Sequence, residues 1–355
     1  MKKILITGSR GYIGSVLTDY LEARGYECVG YDTGFFRKGM LYPSAKGEGA
    51  FHDVRDLTEA ELAGIDAVVH LAGVSNDPFG NLDVAKIYDP TRAYAKALAL
   101  MCKKKGIRFI FASSCSVYGK GGDEALNEAS AVYPQTPYSV NKLQIEEDLR
   151  AMADTSFSPI ALRFATAFGL SPFFRLDIVI NMFVGMAVGT GSIVLNSDGS
   201  AWRPNVHVLD IVEAVRRSIE SDWSGGLLVL NVGDEGNNMK IIDIAKLVGQ
   251  HVPGCEVKFM AKDPGAEVML KNPTVAGDKD TRTYQVSFAK IKETFPGYHT
   301  AWTIEAGIDE MAKKLKEIGF SEADYKDPRF YRLKTIAKLY EDHYLSDELR
   351  WIKEY

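Results

Sequence analysis

Short apolar runs alternate with amphipathic stretches through the first half of the chain. Apolar runs at residues 3–6, 67–72, 108–114 and 158–164 are separated by helical patterns, one of which ends in three lysines and Gly106. Cations in a last helical turn, followed by glycine, are typical of a helix end. Continuous apolar strands between helices predict a parallel sheet covered by helices on both faces. We therefore expect an α/β fold with a doubly wound sheet over residues 1–170.

The pattern changes after about residue 170, where proline, glycine and aromatic residues become frequent. We predict a smaller mixed α/β lobe over 171–325, with some of its chain returning to the first domain. Residues 326–355 are predicted to form a C-terminal helical extension. Its helical pattern runs from Pro328 to Trp351, and its apolar positions are typical of ordinary core packing.

Composition narrows the function. The chain has 355 residues, a net charge of −5 and no basic block, so nucleic acid is not an expected partner. No apolar run approaches the roughly 18 residues that span a bilayer, and we expect no signal peptide before the first strand. Four scattered cysteines fit neither a zinc site nor a disulfide framework. We expect a cytoplasmic protein without a metal and without a membrane partner.

The first chemical motif is a G-x-x-G-x-x-G spacing that ends at Gly14, directly after the first apolar run. A strand–turn–helix of this kind brings backbone N–H groups to a pyrophosphate at a helix N-terminus. Asp32 lies 18 residues after Gly14, where a second strand would end. A carboxylate there accepts hydrogen bonds from a ribose 2′-OH and repels a 2′-phosphate. The pattern predicts NAD rather than NADP, a preference that nearby Arg37 and Lys38 would soften.

The second motif is Y-x-x-x-K, formed by Tyr138 and Lys142. On a helix the two side chains share a face, so the ammonium can lower the pKa of the phenol and hold the nicotinamide ribose. The phenolate can then take a proton from a carbinol. Pro137 is consistent with a helix start. This spacing is common by chance, but it gains weight from Ser114, at the end of an upstream apolar run, which can bond the same substrate oxygen.

Four motifs occur in one order: T-G-x-x-G-x-x-G at 7–14, H-L-A-G at 70–73, S-S-x-x-V-Y-G at 113–119 and Y-x-x-x-K at 138–142. In this order they resemble the extended short-chain dehydrogenases/reductases, specifically the NAD-dependent nucleotide-sugar epimerase/dehydratase family. Segments 53–56, 162–169 and 198–210 add to a resemblance that covers about residues 1–310. It implies a Rossmann-type sheet, NAD and a nucleotide-diphosphate sugar. It also implies polysaccharide or glycoside biosynthesis, and a homodimer built on helices near 90–105 and 138–152.

The resemblance also implies site residues. Tyr138 is the acid/base, Lys142 its electrostatic partner, and Ser114 the contact of the substrate hydroxyl. Besides Tyr138 and Lys142, the implied cofactor contacts are Gly8, Gly11, Tyr12, Ile13, Gly14, Asp32, Asp53, Val54, Leu71, Ala72, Gly73, Ser113 and Phe164. The implied substrate contacts are Ser75, Ser114, Thr166, Asn181, Arg203 and Arg282. The last two match arginines that hold the nucleotide diphosphate, for which a bidentate guanidinium is suited.

The chain departs from the family pattern at several positions. Cys115 and Ser116 stand where 4,6-dehydratases carry an acid pair, and they cannot replace it in water elimination. Members that epimerise at C3 and C5 have their cysteine at the Ser116 position, one residue later than here. Pro90, preceded by Asp as a cap, would begin a helix where relatives carry an asparagine. Thr166 replaces another frequent asparagine.

Without the dehydratase acids, the reactions that stay possible are those that need only NAD, Tyr138, Lys142 and Ser114. Oxidation at C4 gives a 4-ketose, and its reduction from the other face makes the enzyme a 4-epimerase of an NDP-hexose or NDP-heptose, which we favour. Release of the ketose would make it a C4 dehydrogenase or, in reverse, a 4-ketoreductase. A non-catalytic NAD-binding protein and a reductase of non-sugar carbonyls are further alternatives. We expect His207 and Cys115 to pack rather than to react.

Overall fold

The computed structural model describes residues 1–44, 51–75, 84–122, 124–195, 197–259 and 282–355. Its strands are β1 Lys3–Thr7, β2 Glu27–Tyr31, β3 Ala67–His70, β4 Arg108–Ser114, β5 Ile160–Phe164, β6 Thr166–Phe168, β7 Ser192–Leu195, β8 Trp202–His207, β9 Leu228–Val232, β10 Asn238–Lys240 and β11 Glu256–Phe259. Its α-helices are α1 Tyr12–Glu22, α2 Val84–Lys105, α3 Pro137–Met152, α4 Val179–Thr190, α5 Val208–Glu220, α6 Ile241–His251, α7 Ala289–Thr294, α8 Ile304–Glu317, α9 Glu322–Lys326 and α10 Arg332–Glu341.

A six-stranded sheet in the order β2-β1-β3-β4-β5-β9 forms the centre of the molecule, and each neighbouring pair is parallel. The predicted doubly wound sheet is thereby confirmed. Strand β9 at one edge comes from the second half of the chain. The chain reverses direction across the sheet between β1 and β3, and ligands bind beyond the carboxyl ends of strands at such a switch point.

Alternate residues of these strands pack on opposite faces of the sheet. Ile4 and Ile6 of β1 belong to the apolar cluster that holds Leu17 of α1 and Ile211 of α5. Leu5, between them, belongs to the cluster that includes residues of α2 and α3. Strands buried on both faces consist of continuous apolar runs, which is the pattern seen in the sequence.

The second lobe has two small sheets, β10-β8-β6 and β11-β7. Its apolar core joins Phe183 of α4, Ile244 of α6 and Ile308 of α8. In the described parts of the chain, no helix is long and apolar enough to cross a bilayer. The same residues contain no group of three or more His, Cys, Asp and Glu side chains that could hold a metal ion.

Two helix predictions are corrected. Helix α2 begins at Val84, so Pro90 lies inside it and is not its first residue. Ile87, on the added turn, belongs to one apolar cluster with Ile336 of α10, and this long-range packing supports the longer helix. Helix α10 ends at Glu341, ten residues before the predicted Trp351. His343 just beyond it has a φ of 56°, a left-handed conformation that does not continue a helix.

Candidate active site

One cavity lies beyond the carboxyl ends of β1, β3 and β4. The space between its walls, counted out to its open mouth, is about 1360 Å³. The sequence-predicted site residues that line it are Gly8, Gly11, Tyr12, Ile13, Gly14, Asp32, Asp53, Val54, Leu71, Ala72, Gly73, Ser75, Ser113, Tyr138, Lys142 and Phe164. The fold therefore brings together the residues proposed for the cofactor.

The glycine loop has no room for side chains. Gly8 has a φ of +73°, and a Cβ there would lie 2.9 Å from the backbone nitrogen of Ala72. A Cβ at Gly14 would lie 2.0 Å from the carbonyl oxygen of Gly8. The Tyr12 hydroxyl donates to the Gly169 carbonyl 2.6 Å away, so this side chain is anchored to the chain after β6. No side chain caps the start of α1 at Gly11, and a helix N-terminus favours an anion.

The Asp32 carboxylate is fixed directly after β2. It accepts hydrogen bonds from the backbone nitrogens of Arg10 at 2.9 Å and Gly34 at 2.7 Å. Burial raises the pKa of this carboxyl above its usual range. Arg37 donates to the main-chain oxygen of Tyr355 at 2.7 Å, and Lys38 lies 3.5 Å from the centre of the Tyr355 ring. Both cations therefore contact the C-terminus of the chain, and neither lines the cavity.

Tyr138 and Lys142 lie one helical turn apart at the start of α3. Thr136 caps this helix, and Pro137 is its first residue, as the sequence predicts. The Lys142 ammonium lies 5.6 Å from the centre of the Tyr138 ring and donates to the carbonyl of Ala112 at 2.6 Å. Burial lowers the pKa of Lys142 to about 8. The pair can stabilise a phenolate, which the positive end of α3 also favours.

A buried ion pair between Glu146 and Arg163 lies next to Tyr138 and Lys142 along helix α3. Glu146, one turn after Lys142, bonds Arg163 through both oxygens, at 3.0 Å to Nε and 2.7 Å to Nη2. Ser113 donates its hydroxyl to Glu146, so its side chain is already engaged. The Ser114 hydroxyl accepts a hydrogen bond from the Ser116 nitrogen at 3.1 Å, and Ser114 is absent from the cavity lining.

Of the predicted substrate residues, Ser75 lines the cavity, whereas Thr166 and Asn181 lie outside its lining. Ser75 lines the cavity and accepts a hydrogen bond from Arg175 at 2.8 Å. Thr166 is half-buried on β6 outside the cavity lining. Asn181 is fully buried in α4, and its side-chain oxygen accepts from the Gly169 nitrogen at 3.1 Å. The structure therefore gives Asn181 an internal role in holding the turn after β6, and does not support a substrate contact.

The two predicted diphosphate arginines are neighbours in space. Arg203, on β8, donates to the backbone carbonyls of Trp202, at 2.8 Å, and of Arg282. Neither arginine lines the cavity. Asp280 and Thr281, which directly precede Arg282, lie outside the described residues, as does the side chain of Asp89.

His207 and Cys115 pack as expected. The His207 ring stacks on Trp302 with 4.1 Å between ring centres, and its Nε2 lies 3.2 Å from a Glu310 oxygen. The buried Cys115 thiol donates to the carbonyl of Arg163, and burial raises its pKa. A thiol with a raised pKa is a poor nucleophile.

The family model "NAD dependent epimerase/dehydratase family" matches residues 4–233. The chain belongs to this family. A UDP-glucose 4-epimerase of Bacillus subtilis is 27% identical over 87% of this chain and 94% of its own length. UDP-glucuronic acid decarboxylase 6 of Arabidopsis thaliana is 23% identical over 86% and 90%. The solved structure of TunA, an NAD-dependent NDP-hexosamine 5,6-dehydratase, has a TM-score of 0.75 at 21% identity and covers 89% of this chain and 98% of its own.

This family member is an enzyme of the extended short-chain dehydrogenase/reductase class, and NAD is its cofactor, which confirms the prediction. The site fits that cofactor: a Cβ at Gly8 or Gly14 would collide with backbone, so the loop is shaped for close approach. Asp32 lines the same cavity, where its carboxylate is the predicted acceptor for a ribose hydroxyl. The carboxylate of Asp53, proposed near the adenine, is bonded to Arg55 at the cavity wall.

Several cavity residues of this family member were missed by the sequence motifs: Arg55, Arg175, Arg332, Glu348 and Leu349. Arg332 and the residues near 348 are far along the chain from the other cavity residues, so no local spacing connects them. Glu146 was also missed, although its position four residues after Lys142 places it on the same helix face.

Proposed function

We propose that this enzyme is a nucleotide-sugar 4-epimerase that acts on an NDP-hexose or NDP-heptose through transient oxidation at C4. The observation that carries the proposal is that Tyr138 and Lys142 line the same cavity as the glycine loop and Asp32. The relationship to a UDP-glucose 4-epimerase of Bacillus subtilis supports it.

The chain's residues supply the proton transfer. Tyr138, as phenolate, takes the proton of the C4 hydroxyl and returns it to the ketone oxygen after the sugar has turned. Lys142, held by the Ala112 carbonyl, keeps a cation next to the phenolate. NAD, when bound, accepts the C4 hydride and gives it back. Inversion at C4 requires that the 4-ketose stays bound in the cavity while the sugar ring turns over.

A dehydratase is less well supported. Cys115 is buried and bonded to a carbonyl, and Ser116 offers only a hydroxyl, so no acid stands at either position. Glu146, the carboxylate bonded to the Ser113 hydroxyl, is bound by Arg163 through both oxygens. Water elimination across C5–C6 needs a free acid/base pair, which these residues do not supply.

The substrate diphosphate is proposed to contact Arg203 and Arg282, with Ser75, Ser114 and Thr166 nearer the sugar. Guanidinium groups suit phosphate oxygens, whereas a neutral substrate would not need two arginines. An Arg203→Lys variant should raise KM for a nucleotide sugar more than it lowers kcat, because Lys keeps the charge but loses the bidentate geometry. Unchanged KM would favour a carbonyl substrate without a diphosphate.

The deciding experiment is turnover of UDP-glucose, UDP-galactose, UDP-N-acetylglucosamine and UDP-glucuronic acid, together with GDP-, dTDP- and CDP-sugars, by enzyme without added cofactor. Absorbance at 340 nm is followed, and product isomers are separated. A 4-epimer without net NADH supports the proposal, and Tyr138→Phe should abolish it. NADH that rises to one equivalent and stops indicates a dehydrogenase or 4-ketoreductase. Release of CO2 from UDP-glucuronic acid indicates a decarboxylase. No product at all, with NAD bound, indicates a non-catalytic protein.

A further inference from the structure

The C-terminal extension, residues 326–355, lies across the cofactor cavity. Four of its residues line the cavity wall, two on helix α10 and two in the segment after it: Arg332, Ile336, Glu348 and Leu349. Ile336 and Leu349 belong to one apolar cluster with Ile87 of α2, so the extension is packed there by apolar contacts.

Hydrogen bonds tie the end of the extension to the segments that carry the proposed adenosine contacts. Arg55, two residues after Asp53, donates to the carbonyls of Glu348 and, at 3.0 Å, of Leu349. The Trp351 indole donates to the carbonyl of Thr33, next to Asp32, at 2.6 Å. The segments that carry Asp32 and Asp53, the proposed adenosine contacts, therefore both bind the last part of the C-terminal extension.

Arg332 brings a buried cation to this wall. It is 3% exposed, and its guanidinium lies 4.3 Å from the centre of the Phe36 ring. Its Nη2 donates to the carbonyl of Phe173 at 2.6 Å, whereas its Nη1 has no hydrogen-bond partner in the described parts of the chain. A guanidinium has five N–H donors, and leaving one of them buried without an acceptor is costly.

Two carboxylates, Asp177 and Asp32, and a second arginine surround Arg332. Asp177 accepts from the Arg332 backbone nitrogen at 3.0 Å, but its other oxygen accepts from Arg175 at 2.7 Å. Neither of these two Asp177 contacts reaches the Nη1 atom of Arg332, which is left without a hydrogen-bond partner in the described residues. Burial and the charge of Arg175 lower the pKa of Arg332 to about 9. The start of α1 lines the same cavity and also attracts anions.

We propose that Arg332 binds the diphosphate of NAD and that the C-terminal extension forms one wall of the cofactor site within the same chain. The extension then slows the release of NAD, because the contacts of the cofactor with this wall must be lost before it leaves. The inference rests on NAD binding and not on the proposed epimerase reaction.

The first test compares Arg332→Met with Arg332→Lys and with the control Arg329→Met. Arg329 is on the same extension, pairs with Asp324 at 2.8 Å and is absent from the cavity lining. Calorimetric titration of NAD-free protein with NAD, ADP and adenosine is the measurement. A lost charge-assisted hydrogen bond should weaken NAD and ADP roughly tenfold or more in Arg332→Met, with adenosine unchanged. Arg332→Lys should recover part of this loss.

Unchanged NAD affinity in folded Arg332→Met overturns the proposal, as does an equal loss for adenosine. A second pair of variants covers a failure of Arg332→Met to fold. Trp351→Ala removes the indole bonded to Thr33, and the control Ile352→Ala changes an adjacent side chain that is 60% exposed. NAD release is followed after dilution into excess labelled NAD. Faster release from Trp351→Ala than from the control supports the proposal, and equal rates overturn it. Epimerase turnover is not part of either readout.

Discussion

The buried ion pair between Glu146 and Arg163 gives a prediction that links stability to the active site. The Glu146 side chain is 2% exposed and that of Arg163 is 5% exposed, and the pair is bidentate. A Glu146→Gln variant keeps the shape of the side chain but removes its charge. The Arg163 cation then stays buried with only neutral acceptors, of which the Tyr118 hydroxyl is one.

Breaking a buried pair by removing one partner typically costs about 3–5 kcal/mol. We expect Glu146→Gln to lower the free energy of unfolding by that amount. Replacing both partners, as in Glu146→Leu with Arg163→Met, should cost less than the single variant because no unpaired cation remains. Glu322→Gln is the matched control, since its pair with Lys326 is exposed and should contribute about 0.5 kcal/mol or less.

Urea unfolding followed by tryptophan fluorescence measures these differences through the midpoint and slope. The reasoning is refuted if Glu146→Gln and Glu322→Gln cost the same, or if the double variant is less stable than the single one. The pH dependence of activity is a second measurement on the same variant. The Glu146 charge raises the pKa of Lys142, so Glu146→Gln should shift any alkaline loss of activity to lower pH.

Three further predictions follow from the site and the surface. The Lys142 pKa of about 8 means that its ammonium is present below pH 8 and lost as the pH rises through it, so kcat/KM should fall above pH 8; a flat profile to pH 9.5 would contradict this. Gly14→Ala should lower NAD affinity at least about tenfold, because its Cβ would meet the Gly8 carbonyl at 2.0 Å, whereas Gly122→Ala, with open space around it, should bind NAD normally. Leu100 on α2 and Val140 on α3 are apolar but 46% and 38% exposed, as residues of the predicted dimer interface would be. Leu100→Lys should therefore dissociate the homodimer, whereas the control Ile318→Lys should not, when the molar mass is measured by light scattering. A monomeric unmodified protein would contradict this interface.

Local features of the sequence determined much of this protein. The apolar runs predicted β1, β3, β4 and β5 of the central sheet, because a strand buried on both faces leaves a continuous pattern, whereas β9 at its edge was not predicted. The glycine spacing predicted the loop at β1, since its close contacts lie within a few residues along the chain or one strand away. The Tyr138–Lys142 spacing predicted a shared helix face, which depends only on helix geometry.

Tertiary structure decided the features that depend on distant segments. Helix α2 begins before Pro90 because Ile87 packs on the C-terminal extension, a contact that helix propensity does not encode. Asn181 matched a substrate position, but packing buried it against the turn at Gly169. Arg332 reaches the cofactor cavity only because the extension folds back over it. Local pattern fixed which elements form, and the long-range packing of those elements decided which side chains meet in the cavity.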